Sequence, residues 1–599
     1  MTCRPDRAWS GFALACALFL SAAASGCADK ADTPDPFAQA RAALVRGDGF
    51  AAEAILRKAL ESGATRESIA ALMGEAELAQ GNLAEARGWL GEGMFAKESR
   101  AHGYHMLGRL EMLAGNLPAA GSALDRAYEL GGESAALWID VGRLRYRGGE
   151  QLAAIAAAEK ALELGPSDLG ALIFRGQLVR DAYGPAAALH WFEAALRIDS
   201  EDVDALAEYA STLGDLGRAA EMLVAVDRLS RAAPEDTRGH YLRAVLAARA
   251  GEPALARALL ERSGQLQREV PAAMLLAGLI DLESGNYASA AQGLEKLTKR
   301  QPQNERARLL FARALLLGRG ERELVARFGD AAKARSASPY LQTLVGRAYE
   351  ALGDRTSAAW YLDRASQPRR VEAYPVEAGI DTLLPLQTSE GGNGDHADRL
   401  RLLLARGEAT AAIEQAEALL DRFPGSADAA SLAGDAQYAA GSPGKALEYY
   451  RRAAAVRLNW PLARREIMAL LALGREPEAE AVARGFANGN PGNREAIALV
   501  AGNLAGRQDW NGAARLLDHA ILQGAKSDPL VLGMRAKVAA ALGAEDRGRG
   551  YAETSARLQP LNPAGSYLMV ALEREEGSDA RAVDLLLAKA RALASNSRS

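Results

Sequence analysis

The sequence predicts an all-α protein built from repeated helix pairs, and three columns of residues carry that prediction. A glycine recurs every 34 residues, at the point where one helix ends with a left-handed backbone and the next helix begins. A small residue precedes each turn by seven positions, and alanine follows it by five. Small side chains at these places let two antiparallel helices approach closely, so the period predicts a solenoid of stacked helix pairs.

The columns extend through the first two thirds of the chain. The turn glycines are Gly47, Gly81, Gly115, Gly149, Gly217, Gly251, Gly285 and Gly353, with Tyr183 and Arg319 on the two remaining grid points. The small residues are Gly74, Gly108, Gly142, Gly176, Ala210, Ala244, Gly278, Ala312 and Gly346. The alanines are Ala52, Ala86, Ala120, Ala154, Ala188, Ala256, Ala290 and Ala358. Proline ends several second helices, at Pro166, Pro234 and Pro302, because it cannot continue a helix.

This period and these columns resemble the tetratricopeptide repeat family. The aromatic positions of the family match in part, with Tyr104 and Trp138 before the small residue but Leu172 and Leu206 later. The resemblance implies a right-handed superhelical solenoid of about sixteen helix-turn-helix repeats, interrupted once.

The register breaks in the middle of the chain. Residues 367–395 contain three prolines and the run Gly391-Gly-Asn-Gly394, which indicates an insertion or a hinge. Turns resume at Gly407, Gly441, Gly474, near Gln508, Gly543 and Gly577. We therefore expect an N-terminal array over 37–366 and a C-terminal array over 396–594.

The first residues have the pattern of a lipoprotein signal peptide. Two arginines precede a short apolar run from Gly11 to Ala24, too short to span a bilayer, and Cys27 closes a stretch that resembles a bacterial lipobox. An ordinary signal peptide with a chance cysteine is the alternative. We expect cleavage after residue 26, lipidation of Cys27 and a flexible tether over 27–36. Ala28 after the cysteine favours the periplasmic face of the outer membrane over the inner membrane.

The sequence contains no convincing catalytic or metal motif. Gly441–Lys445 lacks the spacing and the following Ser or Thr of a phosphate loop, and Asp199–Asp204 suits helix capping better than calcium binding. His102 and His105 share a helix face, but no third ligand follows nearby, so packing or surface roles are favoured. We expect no enzyme activity, metal or cofactor apart from the lipid on Cys27.

Binding residues are predicted on the first helices, which line the concave surface in the family. The column after the small residue contains Val245 and Leu279 in its middle, and arginine at many other positions. The candidate groove residues are Arg109, Arg143, Arg147, Arg180, Arg313, Arg347 and Arg401. Arginine suits carboxylate or phosphate, so the column favours an acidic ligand. The alternative is a solvated face whose arginines pair with neighbouring carboxylates.

These observations predict a non-catalytic, lipid-anchored periplasmic scaffold that binds cell-envelope proteins. The chain has 71 basic and 76 acidic residues and a net charge of −5, so a nucleic-acid partner is not expected. Repeat lipoproteins of exopolysaccharide export, including exosortase-linked systems, resemble it, and pilus-assembly pilotins do so less closely. A groove for an anionic glycan or peptidoglycan is the alternative. A helical arm of an enzyme is disfavoured, because the sequence closes inside a repeat.

Overall fold

The computed structural model describes four stretches of the chain. They are residues 35–366 except 235, 303, 335 and 336, residues 399–558 except 401, 405 and 524, residues 568–574 except 572, and residues 580–596. The predicted signal peptide, Cys27, the segment 367–395 and the candidate Arg401 lie outside the described residues.

The chain forms two compact units, residues 1–114 and 115–599. The first unit contains five described helices, which pack as successive neighbours. These are α1 (Pro36–Val45), α2 (Gly49–Glu61), α3 (Arg66–Ala79), α4 (Leu83–Leu90) and α5 (Arg100–Leu113).

The second unit continues the same pattern of helix pairs over a much longer stretch. Its first part contains α6 (Leu117–Gly131), α7 (Ala135–Arg147), α8 (Gln151–Leu164), α9 (Leu169–Tyr183), α10 (Pro185–Ile198), α11 (Val203–Asp215), α12 (Ala219–Ala232), α13 (Thr237–Arg249), α14 (Pro253–Arg262), α15 (Gln265–Glu269), α16 (Pro271–Glu283), α17 (Tyr287–Arg300), α18 (Glu305–Leu317), α19 (Glu321–Lys333), α20 (Pro339–Ala351) and α21 (Arg355–Ser366). Its later part contains α22 (Ala409–Arg422), α23 (Ala427–Ala439), α24 (Pro443–Val456), α25 (Trp460–Ala472), α26 (Glu476–Gly489), α27 (Arg494–Gly506), α28 (Trp510–Leu522), a 3₁₀ turn (Ala525–Ser527), α29 (Pro529–Ala541), α30 (Glu545–Leu558) and α31 (Ala580–Asn596). The all-α solenoid prediction is confirmed.

The turn residues have the left-handed backbone that the sequence predicts, including two positions where the residue is not glycine. All eight turn glycines on the grid have a positive φ. Where the grid lacks glycine, Arg319 takes φ 62° and Gln508 takes φ 63°, while at Tyr183 the turn moves one residue to Gly184. A side chain in this conformation costs free energy, so repeat geometry overrides local preference at two turns.

The small column exists because a large side chain from the second helix fills the space beside it. A Cβ on Gly176 would lie 2.6 Å from Phe192, and one on Gly278 would lie 2.7 Å from Leu294. The partner follows the glycine by 16 residues in both pairs. The two helices approach closely because the glycine leaves room for the large apolar side chain of the second helix. The alanines of the following column are also buried.

A capping column that the sequence analysis did not single out starts the first helices. In each case a side-chain oxygen accepts a backbone N–H of the first turn. The residues are Thr65, Ser134, Asp168, Asp202, Asp236, Asn304, Ser338, Ser426, Asn459, Asn493 and Asp528. At the start of second helices, Asp48 caps its helix, whereas Asn82, Asn116 and Asn286 form no side-chain cap bond. No helix in the described ranges is long and apolar enough to cross a membrane.

Candidate functional site

The first helices of successive repeats form a ladder of polar side chains that contact one another. In the first unit, a Glu75 carboxylate oxygen lies 2.8 Å from His102 Nε2. Burial raises the pKa of Glu75, but the His102 hydrogen bond and the charges of His102, Arg109 and His105 lower it further, so the net shift is downward. The two histidines of the sequence analysis thus belong to a carboxylate-centred cluster.

The same ladder continues in the second unit with arginine as the cation. Glu208 accepts from Gln177 at 2.7 Å and pairs with Arg180 Nη1 at 2.7 Å. Arg180 also donates to Thr212 Oγ1 at 3.1 Å, and its guanidinium lies over the ring of Phe192. These contacts join two successive first helices, α9 and α11, through side chains, and Phe192 belongs to the second helix α10 between them.

Two other predicted binding arginines also have acidic partners on their own helices. Arg143 Nη1 lies 3.1 Å from Asp140 Oδ1, and its guanidinium lies 5.8 Å from the Phe174 ring centroid. Arg347 pairs with Glu350 one turn along α20. The alternative of intra-repeat pairing therefore describes Arg143 and Arg347, and pairing between repeats describes Arg180.

The remaining described candidates have different surroundings. Arg109 lies in the first unit, where its guanidinium contacts Met106 Sδ at 3.9 Å. Arg313 lies beside Tyr340, whose pKa is raised because burial outweighs the opposing effect of the Arg313 charge. Arg147 lines a cavity in the second unit. The six candidates that the structure describes thus have different contacts: Arg143 and Arg347 pair on their own helices, Arg180 pairs with Glu208, and Arg147 lines a cavity.

The cavity occupies about 640 Å³, which falls within the range of ligand pockets. Its lining includes Arg147 at the end of α7 and the turn that follows, together with residues of α22, α23 and α25. Its apolar lining residues are Leu117, Leu419, Phe423, Leu432 and Leu462. Its charged lining residues are Arg147, Asp428, Asp435, Arg457 and Arg465.

A buried ion pair between Asp435 and Arg465 belongs to the lining of this cavity. Asp435 is fully buried and accepts from Arg465 Nε at 2.8 Å and from the Tyr450 hydroxyl at 2.9 Å. Burial, and next the Asp435 charge, raise the pKa of Tyr450, so the hydroxyl stays protonated and donates. Asp435 follows Gly434 as Arg143 follows Gly142, so it occupies the same first-helix column after the small residue. Arg457 and Arg465 were missed, because no sequence signal pairs them with a turn that lies hundreds of residues earlier.

A second cationic region involves three arginines from distant helices. The pKa of Arg306 is lowered, first by burial and then by the positive charges of Arg494 and Arg249. Arg249 donates to the Gly214 carbonyl, and a Cβ on Gly492 would lie 3.4 Å from the Asp215 carbonyl oxygen. Helices α13, α18 and α27 therefore bring three positive charges together, with Asp215 of α11 close to Arg249, and the three arginines favour an anion in their neighbourhood.

The acidic stretch from Asp199 to Asp204 confirms the capping interpretation. Asp202 accepts from Ala205 N at 2.7 Å, and Asp204 pairs with Arg238 Nη1 at 2.7 Å. Among the residues that the structure describes, no cluster of three or more His, Cys, Asp or Glu could hold a metal ion.

A tetratricopeptide repeat model matches residues 105–169 and 398–461, one segment in each predicted array. The fold is a tetratricopeptide-repeat solenoid. Tetratricopeptide domains bind protein partners and are typically non-catalytic. No curated protein matches the chain at a significant level.

Solved structures resemble the tetratricopeptide solenoid at low sequence identity. A human IFIT1 dimer with m7Gppp-AAAA is 18% identical over 66% of this chain and 91% of that chain, with a TM-score of 0.36. A tetratricopeptide repeat protein from Parabacteroides merdae is 18% identical over 39% and 91%, with a TM-score of 0.28. PilF from Pseudomonas aeruginosa is 23% identical over 38% and 88%, with a TM-score of 0.27.

Proposed function

We propose that the protein is a non-catalytic scaffold that binds envelope proteins through the face formed by its first helices. The observation that carries the proposal is the cavity between the α7 turn and helices α22, α23 and α25. It offers apolar surface beside Arg147, and its other two arginines, Arg457 and Arg465, pair with Asp181 and Asp435, so it suits a protein segment with mostly apolar side chains and an acidic group near Arg147. The pair of Arg180 and Glu208 connects the neighbouring first helices α9 and α11.

The scaffold proposal is tested by in-cell cross-linking followed by pull-down and mass spectrometry. Arg147→Glu reverses a charge at the cavity, so we expect specific partners to be depleted several-fold. Arg300→Glu is the matched control, because Arg300 is an exposed arginine at the end of a second helix. Equal recovery of the same proteins from both variants would overturn the proposal that partners bind at this face.

We further propose that the scaffold is lipid-anchored on the periplasmic face of the outer membrane. Support comes from Arg4 and Arg7, the short apolar run and the lipobox-like residues before Cys27. Several acyl chains give stable anchoring where a single chain does not. Cys27→Ser should therefore move the protein from the membrane fraction to the soluble fraction. Continued fractionation with the outer membrane would refute the anchor.

Within the envelope, we place the scaffold in assembly or exopolysaccharide export, ahead of a pilotin role in pilus assembly. The support is the number of repeats, which exceeds what a short pilotin needs, and it rests on resemblance. Enrichment of polymer-export proteins in the pull-down would support this placement, and enrichment of pilus proteins alone would replace it.

An anionic glycan or peptidoglycan strand is the second candidate ligand. The observation that favours it is the group of Arg249, Arg306 and Arg494, whose like charges lie close together. Binding to an isolated anionic polymer should weaken steeply with salt, since surface charges are screened. Arg306→Gln should weaken it further, whereas Arg300→Gln should not. Salt-independent binding would exclude this mode.

A further inference from the structure

The second unit returns on itself, and residues far apart in sequence contact each other at several places, among them the approach of Gly184 to Gly489 and of Gly217 to Gln523. Leu152 N donates to Gly425 O at 3.1 Å, and Gln151 Oε1 accepts from Ala427 N at 3.0 Å. The start of α8 therefore lies against the start of α23, 276 residues later.

A second set of contacts lies at the other end of the same two repeats. Leu458 N donates to Ala182 O at 2.9 Å, and the Tyr183 hydroxyl donates to Ala455 O at 3.0 Å. Asp181 pairs with Arg457 Nε at 2.9 Å and also accepts from the Tyr146 hydroxyl. We call residues 151–152 and 181–183 with residues 425–427 and 455–458 the latch.

The latch differs in chemistry from the contacts between successive repeats. The apolar clusters that include α8 and α9 draw their members from residues 135–209. The cluster that includes α23 and α24 draws its members from residues 400–516. Each apolar core thus stays on its own side, and hydrogen bonds with one ion pair connect the two sides.

The latch is also loosely filled. The cavity of about 640 Å³ lies beside it, lined by the α7 turn and by residues of α22, α23 and α25. An interface made of polar contacts around a cavity contributes little apolar burial, so its separation costs far less than the unfolding of a repeat. Local opening of such regions is expected before global unfolding.

We propose that the latch opens and closes reversibly, and that its opening admits a protein segment to the cavity beside it. Reversible opening is inferred from the contacts alone. Admission of a protein segment rests on the proposed scaffold function. Closure would bring Arg147, Arg457 and Arg465 together in the lining of the cavity, while opening would separate them.

A cysteine pair across the latch tests closure without any partner. An ideal Cβ on Gly425 lies 3.1 Å from Leu152 Cβ, close to the ~3.5–4.5 Å separation in a disulfide. The full chain would carry Leu152→Cys and Gly425→Cys with its three native cysteines, Cys3, Cys16 and Cys27, changed to serine. Under mild oxidation, we expect rapid formation of an internal disulfide, detected as a mobility shift on non-reducing gels.

The control replaces Leu152→Cys with Leu255→Cys, which is similarly exposed at 53% against 51% but lies on α14. The latch pair should oxidise at least about tenfold faster than this control pair, because contact raises the effective concentration of the two thiols. Equal rates for the two pairs would overturn the closed latch.

A charge variant tests whether polar contacts hold the latch. In the cysteine background, Asp181→Asn should slow disulfide formation about three- to tenfold, since it removes the charge opposite Arg457. Asp227→Asn is the control, because Asp227 pairs with Arg243 on a neighbouring helix of one array. If the Asp181→Asn variant forms the disulfide at the parent rate, and circular dichroism shows that its fold is retained, the claim that polar contacts hold the latch is wrong.

Partner access is then measured with the same cysteine pair in a chain that retains Cys27, so that the proposed lipid anchor is kept, and this protein is either locked by oxidation or reduced. In the cross-linking pull-down, the oxidised latch pair should recover several-fold less of the partner than the reduced pair. Equal recovery would show that entry needs no opening and would overturn the access step, while the oxidation rates would still report on the latch. Failure to recover any partner from the reduced form would instead refute the scaffold function.

Discussion

The contacts between successive repeats and the contacts at the latch are two solutions to the same problem of holding helices together. Between repeats, glycine and alanine columns seat large apolar side chains, as Gly278 does for Leu294. At the latch, backbone groups and the pair Asp181–Arg457 meet across separate apolar cores. The first solution buries area and is permanent, whereas the second relies on directional polar contacts and can be reversed.

The largest expected effect comes from emptying a repeat interface. Leu294 is fully buried against Gly278, so Leu294→Ala should lower the free energy of unfolding by about 2–5 kcal/mol. Chemical denaturation measures this loss. Latch oxidation in the cysteine pair should proceed at the parent rate under native conditions, because Leu294 lies outside the latch. A loss below about 1 kcal/mol would contradict the packing account.

Filling the glycine's space should act in the same direction with a smaller effect. Gly278→Ala places a Cβ 2.7 Å from the Leu294 side chain and should cost about 1–3 kcal/mol. Gly293→Ala is the control, since nothing lies within 4 Å of its added Cβ. The double variant with Leu294→Ala should lose less than the sum of the two single variants, as measured in a double-mutant cycle. Strict additivity of the two losses would contradict direct packing of Leu294 against Gly278.

The turn residues offer a stabilising change that leaves both kinds of contact untouched. Arg319 holds φ 62°, so Arg319→Gly should raise the free energy of unfolding by about 0.5–1 kcal/mol through relief of backbone strain. The reciprocal change, Gly285→Arg at φ 76°, should lower it by a similar amount. The two shifts in denaturation midpoint must have opposite signs for the account to hold.

The smallest effect concerns pH in the first unit. The pKa of Glu75 is lowered by His102, Arg109 and His105, so its contribution to stability is complete above its ordinary pKa and is lost as pH falls through the lowered value. Glu75→Gln should therefore cost up to about 1 kcal/mol at pH 7 and less at pH 3, which lies below the ordinary carboxyl pKa. Denaturation at both pH values, with exposed Glu85→Gln as control, checks the difference. An equal loss at pH 3 would exclude an electrostatic origin.

Much of the ladder was accessible to sequence reasoning, but its pairings were not. The column identified Arg143, Arg347 and Asp435 as first-helix residues, because a fixed period maps sequence position to helix face. It could not tell that Arg180 would pair with Glu208 across two helices. Pairing depends on side-chain reach between elements, which the period does not encode.

The sequence by itself determined the repeat, its turns and its closely packed helix pairs. Each of these depends on residues within about one period, such as a glycine with positive φ or a glycine 16 positions before its apolar partner. Only the tertiary structure decided that Asp181 meets Arg457 and that Arg147 and Arg465 line the same cavity. Those contacts depend on small rotations accumulated over many repeats, and no local pattern records their sum.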